Sequence, residues 1–260
     1  IDAIKIQNDR ILNILPGISE KKWIKWIEFT HNQLLIIDAG YQNGSIKQYK
    51  CQKNNDSDLC YSEISGRLIL KNNKIQEIII NSNHENYETD DPDIILPKND
   101  DNFRLSEYIF HTHPEPSLER KKSGIIYEFP SGNDLLHFTN LYKPGITKTI
   151  ASFLVSPEGL YLTRPRIYFD PITMEITDVN LINTKLASLE QKAYNIYGNF
   201  DENDFYKKII YDYQFIDEFN NFIKKFNLHI DYYPREPKEI IINSNKVIQW
   251  YLQPFYLPKV

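Results

Sequence analysis

"YIFHTHPEPSLERKKSGIIYEFPSGNDLLHF", residues 108–138, sets Tyr-Ile-Phe before two histidines, His111 and His113, and ends on an apolar pattern behind Ser131 and Asp134. The run up to Pro114 reads as a strand stopped by proline. In a strand, residues i and i+2 point to one side, so both imidazoles aim at a common point. Such a pair with one carboxylate suits zinc and leaves a fourth position for water. Standing alone, the same pair is as well read as two surface or packing residues. "PSGND" reads as a helix start, where free backbone N–H groups favour oxygen groups. Ser131 or Asp134 is there either a cap or part of a site, and these residues alone leave both readings open.

Upstream, "SEISGRLIL" and "KIQEIIINS" read as two strands joined by "KNN", with Glu63 on the first. A glutamate on an apolar strand is costly to bury without a partner, so Glu63 is either a functional base or an edge residue. Downstream, "KTIASFLVSPEGLYLTRPR" reads as a strand pair around "SPEG". Nearer the start, Ser19 is expected to cap a helix carrying Trp23, Trp26 and Ile27 on one face. "QLLIIDAGY" (33–41) is expected to be a buried strand leading into a "QNGS" turn. "HENYETDDPD" is expected to be a solvated acidic loop without the ligand spacing of a calcium hand. From about residue 173 the periodicity turns helical, and residues 173–260 are expected to form a mainly helical C-terminal extension to a domain spanning 1–172.

With 41 % apolar and 25 % charged residues over 260 positions, the chain has the composition of a globular protein with a substantial core. No uninterrupted apolar run approaches the roughly 20 residues of a membrane span, and the first residues lack the apolar core of a secretory signal. An intracellular, cytoplasmic location without membrane attachment is therefore expected. A net charge of −5 disfavours non-specific nucleic-acid binding. Cys51 and Cys60 flank a loop-like stretch and are read as a free pair rather than a bridge.

"EISG", "HTHP", "PSGNDL" and "SFLVSPEG" occur in the order seen in the JAMM (MPN-type) zinc metalloproteases, and the similarity covers roughly residues 60 to 165. "EISGRLIL" resembles that family's glutamate strand, "YIFHTHP" its histidine strand and "PSGNDL" its serine–aspartate helix. The resemblance implies an α/β (α+β) fold, a mixed sheet flanked by helices. It implies that His111, His113 and Asp134 hold Zn2+, that Glu63 is the general base and then acid, and that Ser131 stabilises the oxyanion. It implies amide hydrolysis, chiefly of isopeptide links in conjugates of ubiquitin or ubiquitin-like proteins.

The segment between His113 and Asp134 is longer than the family's. Loop insertions are tolerated, since doubling a loop costs only about 0.6 kcal/mol of closure entropy. Residues 114–133 contain no other aspartate, and Glu115, Glu119 and Glu128 lack a serine at the matching offset. Two rival functions are a non-catalytic scaffold on this fold, with the C-terminal extension binding a partner or a second copy, and a zinc endopeptidase or amidohydrolase on another substrate. A barrel amidohydrolase needs further ligands, and His31, His84, His137 and His229 stand at no evident strand end. His137, one turn after Asp134, is expected to pack beside the site. The absence of H-E-x-x-H and Cys-x-x-Cys disfavours zincins and zinc deaminases.

Overall fold

The computed structural model describes residues 25–46, 49–50, 59–60, 63–71, 74–80, 106–113, 127–166, 175–198 and 201–259. Its centre is a six-stranded mixed sheet in the order β5-β4-β6-β7-β8-β9, formed by Lys74–Ile80, Ser65–Lys71, Tyr108–Thr112, Ala151–Val155, Gly159–Pro165 and Leu228–Pro234. Only the β6–β7 pairing is parallel. Its connection carries a helix, α2 (Gly132–Leu141), as parallel neighbours need a crossover.

Helices cover both faces. All five residues of β6 and of β7 are buried, as expected of central strands packed on two sides. One face carries Tyr108, Phe110, Phe153 and Val155, packed with Phe29, Leu34 and Ile37. The last two residues belong to α1 (His31–Ile46), which follows strand β1 (Lys25–Phe29). The other face carries Leu154 and Tyr161 and packs with Leu135 and Phe138 of α2. The same cluster takes in Ile182 and Leu189 of α3 (Val179–Tyr197), and Phe215 and Phe219 of the helix Gln214–Ile223. That last helix is α5, after the short α4 (Glu202–Lys207).

Two elements differ from the sequence reading. Residues 33–41 are helical, not a strand: Leu34, Ile37, Asp38 and Tyr41 are buried at helical spacing, while Leu35 and Ile36 between them are exposed. Thr30 and Gln33 close a capping box, with Gln33 N–H donating to Thr30 Oγ1 and Thr30 N–H to Gln33 Oε1. The helix expected around Trp26 and Ile27 is instead β1, which pairs antiparallel with β12 (Phe255–Lys259). Ser19 and Trp23 lie outside the described residues.

Residues 173–260 are also less helical than their periodicity suggests. The helical part ends at Phe226. Residues beyond it form β9, the hairpin β10–β11 (Glu236–Ile242, Asn245–Tyr251) and β12. Asn243 and Ser244, with φ 49° and 66°, make the hairpin turn. Short strands β2 (Tyr49–Lys50) and β3 (Leu59–Cys60) pair with each other, while Cys51, the 81–100 acidic stretch and residues 114–126 lie outside the described residues. Among the described residues, no helix is long and apolar enough to cross a membrane.

Candidate metal centre

β4 and β6 run antiparallel with Ser65 opposite His111. Continuing that register by two residues sets Glu63 opposite His113, on the face that carries His111. Thr112 locks this end: its N–H donates to Ile64 O, and its Oγ1 accepts from Ile64 N–H, both at 2.9 Å. Glu63 stands two residues before β4 rather than within it, and is buried. Gly66 follows because the strands close there: a Cβ would meet Ile79 O at 2.2 Å and the Phe110 ring at 2.5 Å.

α2 crosses this same face, with Leu141 against Ile109, two residues before His111. Its first turn delivers the carboxylate. Ser131 is the N-cap, its Oγ accepting from Asp134 N–H at 3.2 Å, and Asp134 Oδ2 accepts from Ser131 N–H at 2.7 Å. The cap and the site are therefore one arrangement. With Oδ2 held by the cap, Oδ1 lies 3.2 Å from His111 Nε2, and Oδ2 itself lies 3.4 Å from His113 Nε2.

His111, His113 and Asp134 bring one ligand atom each within 4.8 Å of the others. Tetrahedral zinc with bonds near 2.0–2.1 Å sets ligand separations of roughly 3.3 Å. The two histidine–carboxylate distances, one to each Asp134 oxygen, fall near that edge. His111 Nε2 is buried beside Asp134 Oδ1 without hydrogen-bond geometry to it, a position that a metal ion between the two would satisfy. Glu63 Oε1 lies 3.7 Å from His113 Nε2, beside the three ligands rather than among them. Side-chain exposures of 5, 13, 11 and 12 % for His111, His113, Asp134 and Glu63 leave the site recessed yet reachable.

The carboxylates around the centre favour positive charge within it. Burial by itself would lower the His113 pKa, but the carboxylates of Glu63 and Asp134, with Glu128, outweigh it and push it up to about 10. Burial would raise Asp134, and the two imidazoles outweigh it and hold the carboxyl well below the usual range. His137 follows on α2. Burial, then the neighbouring His111, lowers its pKa. It lies beside the site and outside the ligand group.

All five residues singled out in the sequence thus come to one end of the central sheet. Two others went unnoticed there. Glu128, weighed only as a substitute for Asp134, is buried near His113, and Glu158 of the "SPEG" turn is fully buried behind it. The signal for Glu158 was weak, since a glutamate in a Ser-Pro-Glu-Gly turn between two apolar strands reads as a solvated turn residue.

No family model matches the chain, and no solved structure matches it. Among curated proteins, the chain is similar to the uncharacterized protein R413 of Acanthamoeba polyphaga mimivirus, 33 % identical over 264 aligned positions that cover 97 % of this chain and 72 % of the viral protein. The similarity extends over nearly the whole chain, and the chain belongs to the family of this mimivirus protein.

Proposed function

We propose that this chain is a zinc-dependent hydrolase of amide bonds, of the JAMM type, and that its substrates are isopeptide-linked conjugates of ubiquitin or a ubiquitin-like protein. The observation that carries the reading is the convergence of a His-x-His strand end, the first turn of a helix and a buried glutamate on one point. These groups come from three separate stretches of sequence, in the order of the motifs that resemble that family. The substrate class rests on the resemblance.

His111, His113 and Asp134 would hold the ion, and the convergence of their ligand atoms supports that assignment. Bound there, zinc would acidify a water molecule and polarise the scissile carbonyl. Glu63, with Oε1 3.7 Å from His113 Nε2, would accept a proton from the attacking water and return it to the leaving amine. Ser131 caps α2 through its oxygen lone pair, so its O–H proton remains available to donate to the oxyanion. A backbone fixed by the Thr112–Ile64 bonds and the capping box pre-sets these groups before substrate arrives.

The test is metal content followed by turnover. Purified protein is expected to carry about one zinc per chain, and His113→Ala to carry none. Glu63→Gln is expected to keep the zinc and lose cleavage of a panel of ubiquitin and ubiquitin-like conjugates by at least ~100-fold, since only the base is removed. Zinc-free protein even after reconstitution would overturn the reading in favour of a non-catalytic scaffold. Wild-type cleavage by Glu63→Gln would remove Glu63 from its role.

A further inference from the structure

The two sides of the centre belong to segments separated by residues 114–126, and both are fastened to the same turn. His113 N–H donates to Val155 O at 2.8 Å, at the end of β7. Three residues later the fully buried Glu158 turns its carboxylate toward the other segment, where Oε1 accepts from Glu128 N–H at 2.7 Å. Glu128 lies three residues before the Ser131 cap, and residues 127–131 belong to no helix or strand. Their placement depends on side-chain tethers of this kind. Tyr161 fixes the carboxylate by donating its O–H to Oε1 at 2.6 Å, and its ring packs edge-on against Phe129 at 5.4 Å.

The turn is held from behind as well. Arg235 N–H donates to Glu158 O at 3.0 Å, and the Arg235 guanidinium donates to Ser156 O at 3.1–3.2 Å. That guanidinium also makes a double ion pair with Asp38 of α1, at 2.8 and 2.9 Å. A buried carboxylate bound to a backbone N–H serves neither packing nor surface solubility. It holds the backbone three residues before the cap of the helix that carries Asp134.

Resting on the metal-centre reading, we infer that Glu158 is a positioning residue: the 155–158 turn clamps the histidine strand end and the serine–aspartate helix start in register, whatever the length of chain between them. The centre is then insensitive to the long 114–126 segment because its ligands are fixed at the base of that segment. Glutamine retains an acceptor oxygen for both donors and puts its NH2 where Glu158 Oε2 makes no hydrogen bond among the described residues. Leucine keeps the bulk and removes the acceptor.

Cobalt(II) is the probe, because its visible absorption reports both affinity and ligand geometry without any substrate. In titrations of the full chain, Glu158→Leu is expected to bind cobalt 10- to 100-fold more weakly with an altered spectrum, the range for lost supports of metal ligands. Glu158→Gln is expected to restore the wild-type spectrum, which a loss of packing alone would not predict. Wild-type affinity and spectrum in a folded Glu158→Leu would overturn the inference. Should circular dichroism show that variant unfolded, Glu158→Met decides: it keeps an unbranched side chain of similar reach without the oxygen acceptor, and an unchanged cobalt titration there would overturn the inference equally. A wild-type chain that takes up no cobalt, unlike one whose variants merely match it, overturns the metal centre itself and the clamp with it.

Discussion

Asp134 carries two duties that are often treated as alternatives. As the third residue of the capping box it accepts from Ser131 N–H, and as a carboxylate it faces both histidines. The duties separate chemically. An asparagine retains an oxygen for the cap but loses the charge that favours a divalent ion, whereas alanine loses both. Asp134→Asn is therefore expected to bind zinc at least ~10-fold more weakly, and to lower metal-free stability through the lost attraction to the two imidazoles rather than through the cap. Asp134→Ala should lose the zinc and a further 0.5–2 kcal/mol or so of metal-free stability, as capping losses do. Urea unfolding of chelator-treated protein, beside zinc titration, separates the two. Equal stability losses in both variants would mean that the cap does not depend on this oxygen.

At the scale of elements, the start of α2 is set by a glycine. A Cβ on Gly132 would meet Val179 Cγ1 and Val179 O at 2.8 Å and Asn183 Oδ1 at 2.9 Å, all at the start of α3. Gly132 N–H also donates to Asn183 Oδ1 at 2.9 Å. In an open helix, alanine would gain roughly 0.5–1 kcal/mol over glycine. Here the backbone contact reverses the sign, and Gly132→Ala is expected to cost about 1–3 kcal/mol net and to weaken zinc binding, because relief requires the Ser131–Asp134 turn to move. A stabilised variant would show that α2 and α3 can part at no cost. The "PSGND" and "HTHP" motifs were legible because each is local, a strand end or a helix turn whose geometry is set within five residues. The helix α1 was misread because "QLLIIDAGY" is apolar enough for a buried strand. Only the Thr30–Gln33 box, with burial at Leu34, Ile37 and Tyr41, identifies the helical period.

Across the whole molecule, what the sequence hid was non-local pairing. Strand β9 alternates Leu228, Ile230 and Tyr232 inward with His229 and Tyr233 less buried, yet its partner β8 ends more than sixty residues earlier. The β8–β9 pair is also joined by a buried ion pair. Arg164 Nε and Nη2 donate to Asp231 at 2.6 and 3.2 Å, both residues are almost fully buried, and His229 Nε2 lies 3.2 Å from the same carboxylate. Burial would raise the Asp231 pKa, but Arg164, and then His229, outweigh it and hold it below the usual range. An acid with a depressed folded pKa contributes stability that is present above its unfolded value, near 3.9, and lost as pH falls through the lower folded value. Asp231→Asn leaves Arg164 buried without its counter-charge, which costs roughly 3–5 kcal/mol. The gap between wild type and variant, measured by urea unfolding, should be widest near pH 7 and narrow as pH falls below about 4, where the unfolded carboxyl takes up its proton before the folded one does. A gap that is constant with pH would mean that packing at the β8–β9 seam, rather than the charge of Asp231, holds the final strand of the sheet in place.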